Sequence, residues 1–133
     1  MSKNPNGKSR VKNESGKQEY LKKMEAERGY TLDFHKILAR EDFEFLKSYN
    51  TLLQTALFNP DSEIEPKTKR LILIAVLLAV RSPSEHIQTH MRAAKSLGVT
   101  KAEMLEVLKM TLMPAGLPAF MEGFEIWRSV FDV

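Results

Sequence analysis

Residues 82–98 read SPSEHIQTHMRAAKSLG, and the rest of the chain is organised around them. Ser82 suits a helix N-cap, Pro83 the first helical position, and Glu85, three residues after Ser82, completes a capping box. Gly98 supplies the left-handed residue that ends a helix. Between these marks His86 and His90 lie four apart, which stacks them on one helix face with Cβ atoms about 5–6 Å apart. Ile87, Met91 and Ala94 form the adjacent apolar stripe, so the histidines border the buried face. His86 falls in the first turn, where the positive end of the helix dipole works against an imidazolium charge. A neutral imidazole can take or give a proton, which makes this pair the natural place to expect chemistry.

The flanks on both sides are helical. Upstream, Pro66 fits a first helical turn, and Lys67–Val80 carries LILIAVLLAV, apolar on every side, which predicts a central buried helix. In its lead-in, Lys67, Lys69 and Arg70 read as a solvated first turn. Downstream, Thr100 and Glu103 form a second capping box, followed by Met104, Leu105, Leu108 and Leu112 on one face. Residues 113–118, MPAGLP, interrupt that helix, and a last one runs from Pro118 or Ala119 to Phe131 with Phe120, Phe124, Trp127 and Phe131 at helical spacing. Nearer the N-terminus, residues 15–28 are helix-prone and charged up to Gly29. Thr31 can cap a short turn over Leu32–Leu38, where His35 reads as a surface or packing histidine. Phe43, Leu46, Tyr49, Asn50 and Leu53 mark a longer helix from Arg40 or Glu41 to Phe58, broken by Asn59-Pro60. No strand alternation or internal repeat is visible. The expectation is an all-α bundle of about six helices, with residues 1–14 a disordered basic tail and 15–133 a single domain.

Charge is unevenly placed. The formal net charge is +3, but residues 1–17 carry Lys3, Lys8, Arg10, Lys12 and Lys17 against Glu14 alone, so the remainder is net acidic by one. The basic balance belongs to the tail, which argues against a nucleic-acid-binding domain. The longest apolar run, Leu71–Val80, is about half of what a bilayer span needs, so no membrane partner is expected. The N-terminus is Asn, Ser, Lys and Gly, unlike a signal peptide, and the expected location is the cytoplasm. There are no cysteines, which removes disulfides, thiolate nucleophiles and cysteine-based zinc sites. No phosphate-cradling glycine loop or Rossmann fingerprint is present, so no cofactor is expected.

His90-Met-Arg-Ala-Ala-Lys-Ser-Leu-Gly98-Val-Thr100, then Glu103, Glu106-Val-Leu and Ala115-Gly-Leu-Pro-Ala119, together with the Lys-Thr-Lys-Arg lead-in, resemble the carboxymuconolactone decarboxylase family, which includes the alkylhydroperoxidase D-like proteins. The resemblance covers roughly Leu32 to Phe131. It implies an all-helical fold that assembles as homo-oligomers, trimers or hexamers, with active sites near subunit interfaces. One branch of the family is similar to E…CxxCxxxH and reduces peroxides with its thiols. Aligned on His90, its two cysteine positions fall on Pro83 and His86, and its helix-opening glutamate falls on Arg70, so peroxiredoxin-type chemistry lacks its nucleophile here. The decarboxylase branch looks like ElxxHxRAA…YaGxPaa. This chain keeps His90 and Arg92, but Glu85 lies one residue further from His90, and Pro114 stands where that branch has tyrosine.

These readings give an expected function. It is cofactor-independent acid–base chemistry, decarboxylation or proton transfer, on a small carboxylated lactone or keto acid. Loss of CO2 leaves a carbanion or enol that needs a proton donor and a cation on the remaining carboxylate. His86 and His90 are the expected acid and base, Glu85 the group that orients an imidazole, and Arg92 or Arg81 the carboxylate holder. Two alternatives stand beside it. His86 and His90 at i and i+4 also suit two ligands of one metal ion, although no HExxH pattern accompanies them. The chain also fits a non-catalytic family member that kept the fold.

Overall fold

The computed structural model describes residues 6–133, with side chains from residue 13 onward. Seven helices follow in order: α1 (Asn6–Arg28), α2 (Asp33–Glu41), α3 (Phe43–Ala56), α4 (Pro66–Ala79), α5 (Ser84–Ser96), α6 (Lys101–Ala115) and α7 (Leu117–Phe131). Among the described residues there is no strand. The helix beyond the expected six is α2. The tail expected over residues 1–14 lies partly outside the described residues, and from Asn6 its backbone is the start of α1. The helices group into two compact units, one ending at Asn59 and the other beginning at Pro60. No helix among the described residues is long and apolar enough to cross a membrane.

In the first unit, Leu21, Met24, Ala39 and Leu46 form the core. His35 is fully buried, at the third position of α2, and its Nδ1 accepts the Leu32 N–H at 2.9 Å. An imidazole thus does the work that Glu or Gln does in a capping box, and this is why α2 is a helix of its own. Asp42 caps α3 through Phe45 N–H at 3.0 Å. Arg28 is buried over the rings of Tyr30, Tyr49 and Phe58 and donates to Asn50 Oδ1, whose amide donates to Tyr20 at 3.0 Å.

The second unit holds α4–α7 around Ile74, Leu78, Ile87, Met91, Met104, Leu108, Ile126 and Trp127. The sequence pattern of α4 predicts burial all round, but only one face is covered. Arg70, Ile74 and Leu78 are buried at spacing four, while Ile72, Val76 and Val80 are exposed. The neighbours within a unit of four helices cover only part of a helix circumference. Arg70 sits on the covered stripe and is 7 % exposed, so it is no solvated first-turn residue.

Two details of the turns position the site. After Val80, Arg81 adopts a left-handed φ of 59°. Arg81 N–H then donates to Leu78 O at 3.2 Å and Ser82 N–H to Leu77 O at 2.9 Å, a Schellman closure with arginine where glycine is usual. This commits the Ser82 backbone to the end of α4, so α5 begins at Ser84 behind Pro83 and the expected Ser82–Glu85 capping box does not form. The same closure recurs at Gly98 (φ 89°), as the sequence predicts. The Thr100–Glu103 box does form, with bonds of 3.1 and 2.8 Å. Pro114 does not interrupt α6. It sits in the last turn, where its lost N–H disturbs only one carbonyl, and Gly116 (φ 84°) ends the helix instead.

Candidate active site

Four side chains of the second unit form one hydrogen-bonded chain. Arg70 Nη1 lies 2.9 Å from His90 Nδ1. His90 Nε2 lies 3.1 Å from His86 Nε2. His86 Nδ1 lies 3.0 Å from Ser82 Oγ. Arg70 is supplied by the second turn of α4, the histidines by one face of α5, and Ser82 by the turn that Arg81 closes. The rings are 4.8 Å apart at their centroids and inclined by 62°. Arg70 and His90 are buried, whereas His86 and Ser82 are half-buried, so the chain leads from the interior toward solvent.

The chemistry of the end groups fixes the direction of every link. A guanidinium only donates. His90 Nδ1 must therefore accept, and the single proton of its neutral ring sits on Nε2. That proton is donated to His86 Nε2, which places the His86 proton on Nδ1, where it is donated to Ser82 Oγ. Among the described residues, His86 is the one hydrogen-bond partner of the Ser82 hydroxyl, so the hydroxyl hydrogen is available to a ligand.

The other expected site residues lie elsewhere. Glu85 follows the helix about 100° round from His86. It is exposed and lines a groove of about 290 Å³ with Ser84, Gln88, Glu122 and Glu125. It is not brought to either imidazole. Arg81 turns its guanidinium to Glu122 at 3.5 Å. Arg92 is exposed, two residues past His90 and on the opposite side of α5. Among the described residues no group of three or more metal-ligating side chains is assembled.

The profile of the carboxymuconolactone decarboxylase family matches residues 44–129, well over half of the chain. The protein belongs to that family. An uncharacterized protein of the archaeon Methanocaldococcus jannaschii is 38 % identical over 64 residues, which cover 47 % of this chain and 61 % of that relative. The chain thus spans about three-fifths of the length of the curated relative it matches. The all-helical architecture agrees with the family, and the four-residue chain lies within the matched region. The sequence has no cysteine, so no thiol pair stands beside the two histidines.

Two members of the chain were missed from sequence. Arg70 was hidden in a basic lead-in, yet it shares the i, i+4, i+8 stripe with Ile74 and Leu78, and that register marks it as buried. Ser82 has the residue type and spacing of a helix cap. Nothing in the sequence shows the left-handed Arg81 that frees its hydroxyl for His86.

Proposed function

We propose that the protein carries out cofactor-independent acid–base chemistry, decarboxylation or proton transfer, on a small carboxylated lactone or keto acid. The observation that supports this reading is the Arg70–His90–His86–Ser82 chain, buried at one end and accessible at the other. His86 is the group that meets substrate. In the resting chain it has no spare lone pair, because Nε2 accepts from His90. Taking up a proton from solvent means opening the His90–His86 link, after which Nε2 of His86 carries that proton and the ring is cationic. In a decarboxylation, the C–C bond to the carboxylate breaks, CO2 leaves, and the electron pair remains as a carbanion or enolate. His86 Nε2–H then protonates that carbon and returns to the neutral ring, so charge and protons balance. His90, held by Arg70, then donates its Nε2–H to His86 again. Ser82 donates its hydroxyl hydrogen to an oxygen of the substrate.

Assembly into a homo-oligomer belongs to the same proposal. Ile72, Val76 and Val80 form an exposed apolar line on α4, and Met110, Met113, Leu117 and Met121 are each more than half exposed. Apolar surface of this kind favours association. Light scattering of the purified protein checks it, and a monomer at micromolar concentration contradicts it.

The reaction is tested by supplying a panel of carboxylated lactones and β-keto acids and recording CO2 release. At least one substrate is expected to turn over, with a loss of 10²-fold or more in His86→Gln, the scale of a lost general acid. Turnover unaffected by His86→Gln, or no turnover across the panel, contradicts the reading.

A further inference from the structure

His86 and His90 meet a distance criterion for metal binding. Their Nε2 atoms are 3.1 Å apart, close to the roughly 3.3 Å between neighbouring ligand atoms of a tetrahedral zinc with Zn–N near 2.0 Å. A ligating imidazole must offer a bare nitrogen to the ion, and it donates its other N–H to a carbonyl or carboxylate. Arg70 imposes the reverse on His90. It donates to Nδ1, so the proton is held on Nε2, the atom that would have to bind metal.

We infer that Arg70 is a tautomer lock. It fixes the proton positions of both histidines, bars the pair from divalent metal, and makes the chain a directional donor whose outer end, the Ser82 hydroxyl, takes an anionic oxygen of the ligand. The inference deepens the acid–base reading of the same site and rests on it for the role of the ligand. The lock itself is independent of turnover. It follows from three observations: a donor-only group on His90 Nδ1, two Nε2 atoms facing each other, and Ser82 beside His86 Nδ1. A carboxylate in place of Arg70 would accept from His90 Nδ1–H and bare His90 Nε2; without metal His86 then inverts as well and lets Ser82 donate inward, whereas with an ion bound His86 keeps Nδ1–H on Ser82 and offers its own Nε2. A positioning residue at one end of the chain thus selects among an oxygen-binding donor, a metal pair and an activated serine.

Nuclear magnetic resonance of the full-length protein with isotope-labelled histidine reads which ring nitrogen carries hydrogen. Expected in the wild type are a bare Nδ1 with Nε2–H on His90, and a bare Nε2 with Nδ1–H on His86. Arg70→Lys keeps both assignments. Ser82→Ala also keeps the His90 assignment, since the order is set from the arginine end. Arg70→Glu is expected to swap both rings when metal-free and, on adding cobalt(II), to gain a stoichiometric site in which His86 keeps its proton on Nδ1 so that both Nε2 atoms are bare; the site is visible as a ligand-field band and His90→Asn abolishes it. Should Arg70→Glu fail to fold, the wild type, Arg70→Lys and Ser82→Ala still decide. A wild-type His90 protonated on Nδ1 overturns the inference, as does a His90-dependent cobalt site in the wild type, or a folded Arg70→Glu with unchanged tautomers. Expected tautomers together with no turnover on any substrate would uphold the lock and remove the acid–base reading.

Discussion

Residue 81 offers a prediction whose sign is opposite to the ordinary rule. Arg81 has φ 59°, and a Cβ in that region costs about 1–2 kcal/mol. Glycine avoids this cost but loses about 0.5–1 kcal/mol more in chain entropy on folding. Arg81→Gly is therefore expected to be more stable than Arg81→Ala by about 0.5–1 kcal/mol. At an interior helical position the order would be reversed, with alanine ahead by about 1 kcal/mol. Both variants lose the Arg81–Glu122 contact at 3.5 Å, which for an exposed pair is worth about 1 kcal/mol or less and cancels in the comparison. For a chain of this size the difference corresponds to about 2–4 °C in Tm. Calorimetry or thermal circular dichroism at matched concentration reads it directly. An Arg81→Ala variant that melts above Arg81→Gly would refute the reasoning. It would mean that residue 81 is not left-handed, and that the turn delivering Ser82 to His86 is built differently.

Glu103 gives a pH dependence. The Lys67 ammonium, 2.8 Å away, and the Thr100 N–H hold its carboxyl below the ordinary value of 4.5. A depressed folded-state value contributes stability above the unfolded value, and this is lost as pH falls through the folded one. The wild type is thus expected to exceed Glu103→Gln in Tm at neutral pH, with the gap closing below 4.5. A gap independent of pH would contradict this. Gly123 on α7 faces the core, where a Cβ would lie 2.8 Å from Leu108 and 2.9 Å from Leu78, both fully buried. Overpacking of about 1–3 kcal/mol outweighs the roughly 1 kcal/mol gain in helix propensity, so Gly123→Ala is expected to lower the denaturant midpoint, and an unchanged midpoint would contradict the packing.

Much of the scaffold was legible because its signals are local. The Thr100–Glu103 box and the Gly98 stop each depend on a few consecutive residues, and both form as the sequence predicts. The His86–His90 pairing follows from helical spacing alone. What was not legible depends on partners distant in sequence or on unusual backbone. Arg70 is twenty residues from His90, and a Lys-Thr-Lys-Arg segment looks solvated until α5 packs on it. Ser82 matches an N-cap by type, and only the arginine in a glycine-like turn diverts it to the site. Glu85 is next to His86 in sequence, but one residue of helical rotation turns it to the α7 side. Likewise α2 depends on His35 acting as a capping side chain, a role that Glu or Gln usually fills.

The central claim is that His86 exchanges protons with a carboxylated substrate. Magnetic resonance of a β-keto acid or carboxylated lactone in deuterated water, with the wild type and with His86→Gln, tests it most directly. Enzyme-dependent deuterium entry is expected at the carbon next to the carbonyl, or at the carbon that lost CO2, falling by about 10²-fold or more in the variant. Deuterium entry at the uncatalysed rate with the wild type, or at equal rates with both proteins, would contradict it.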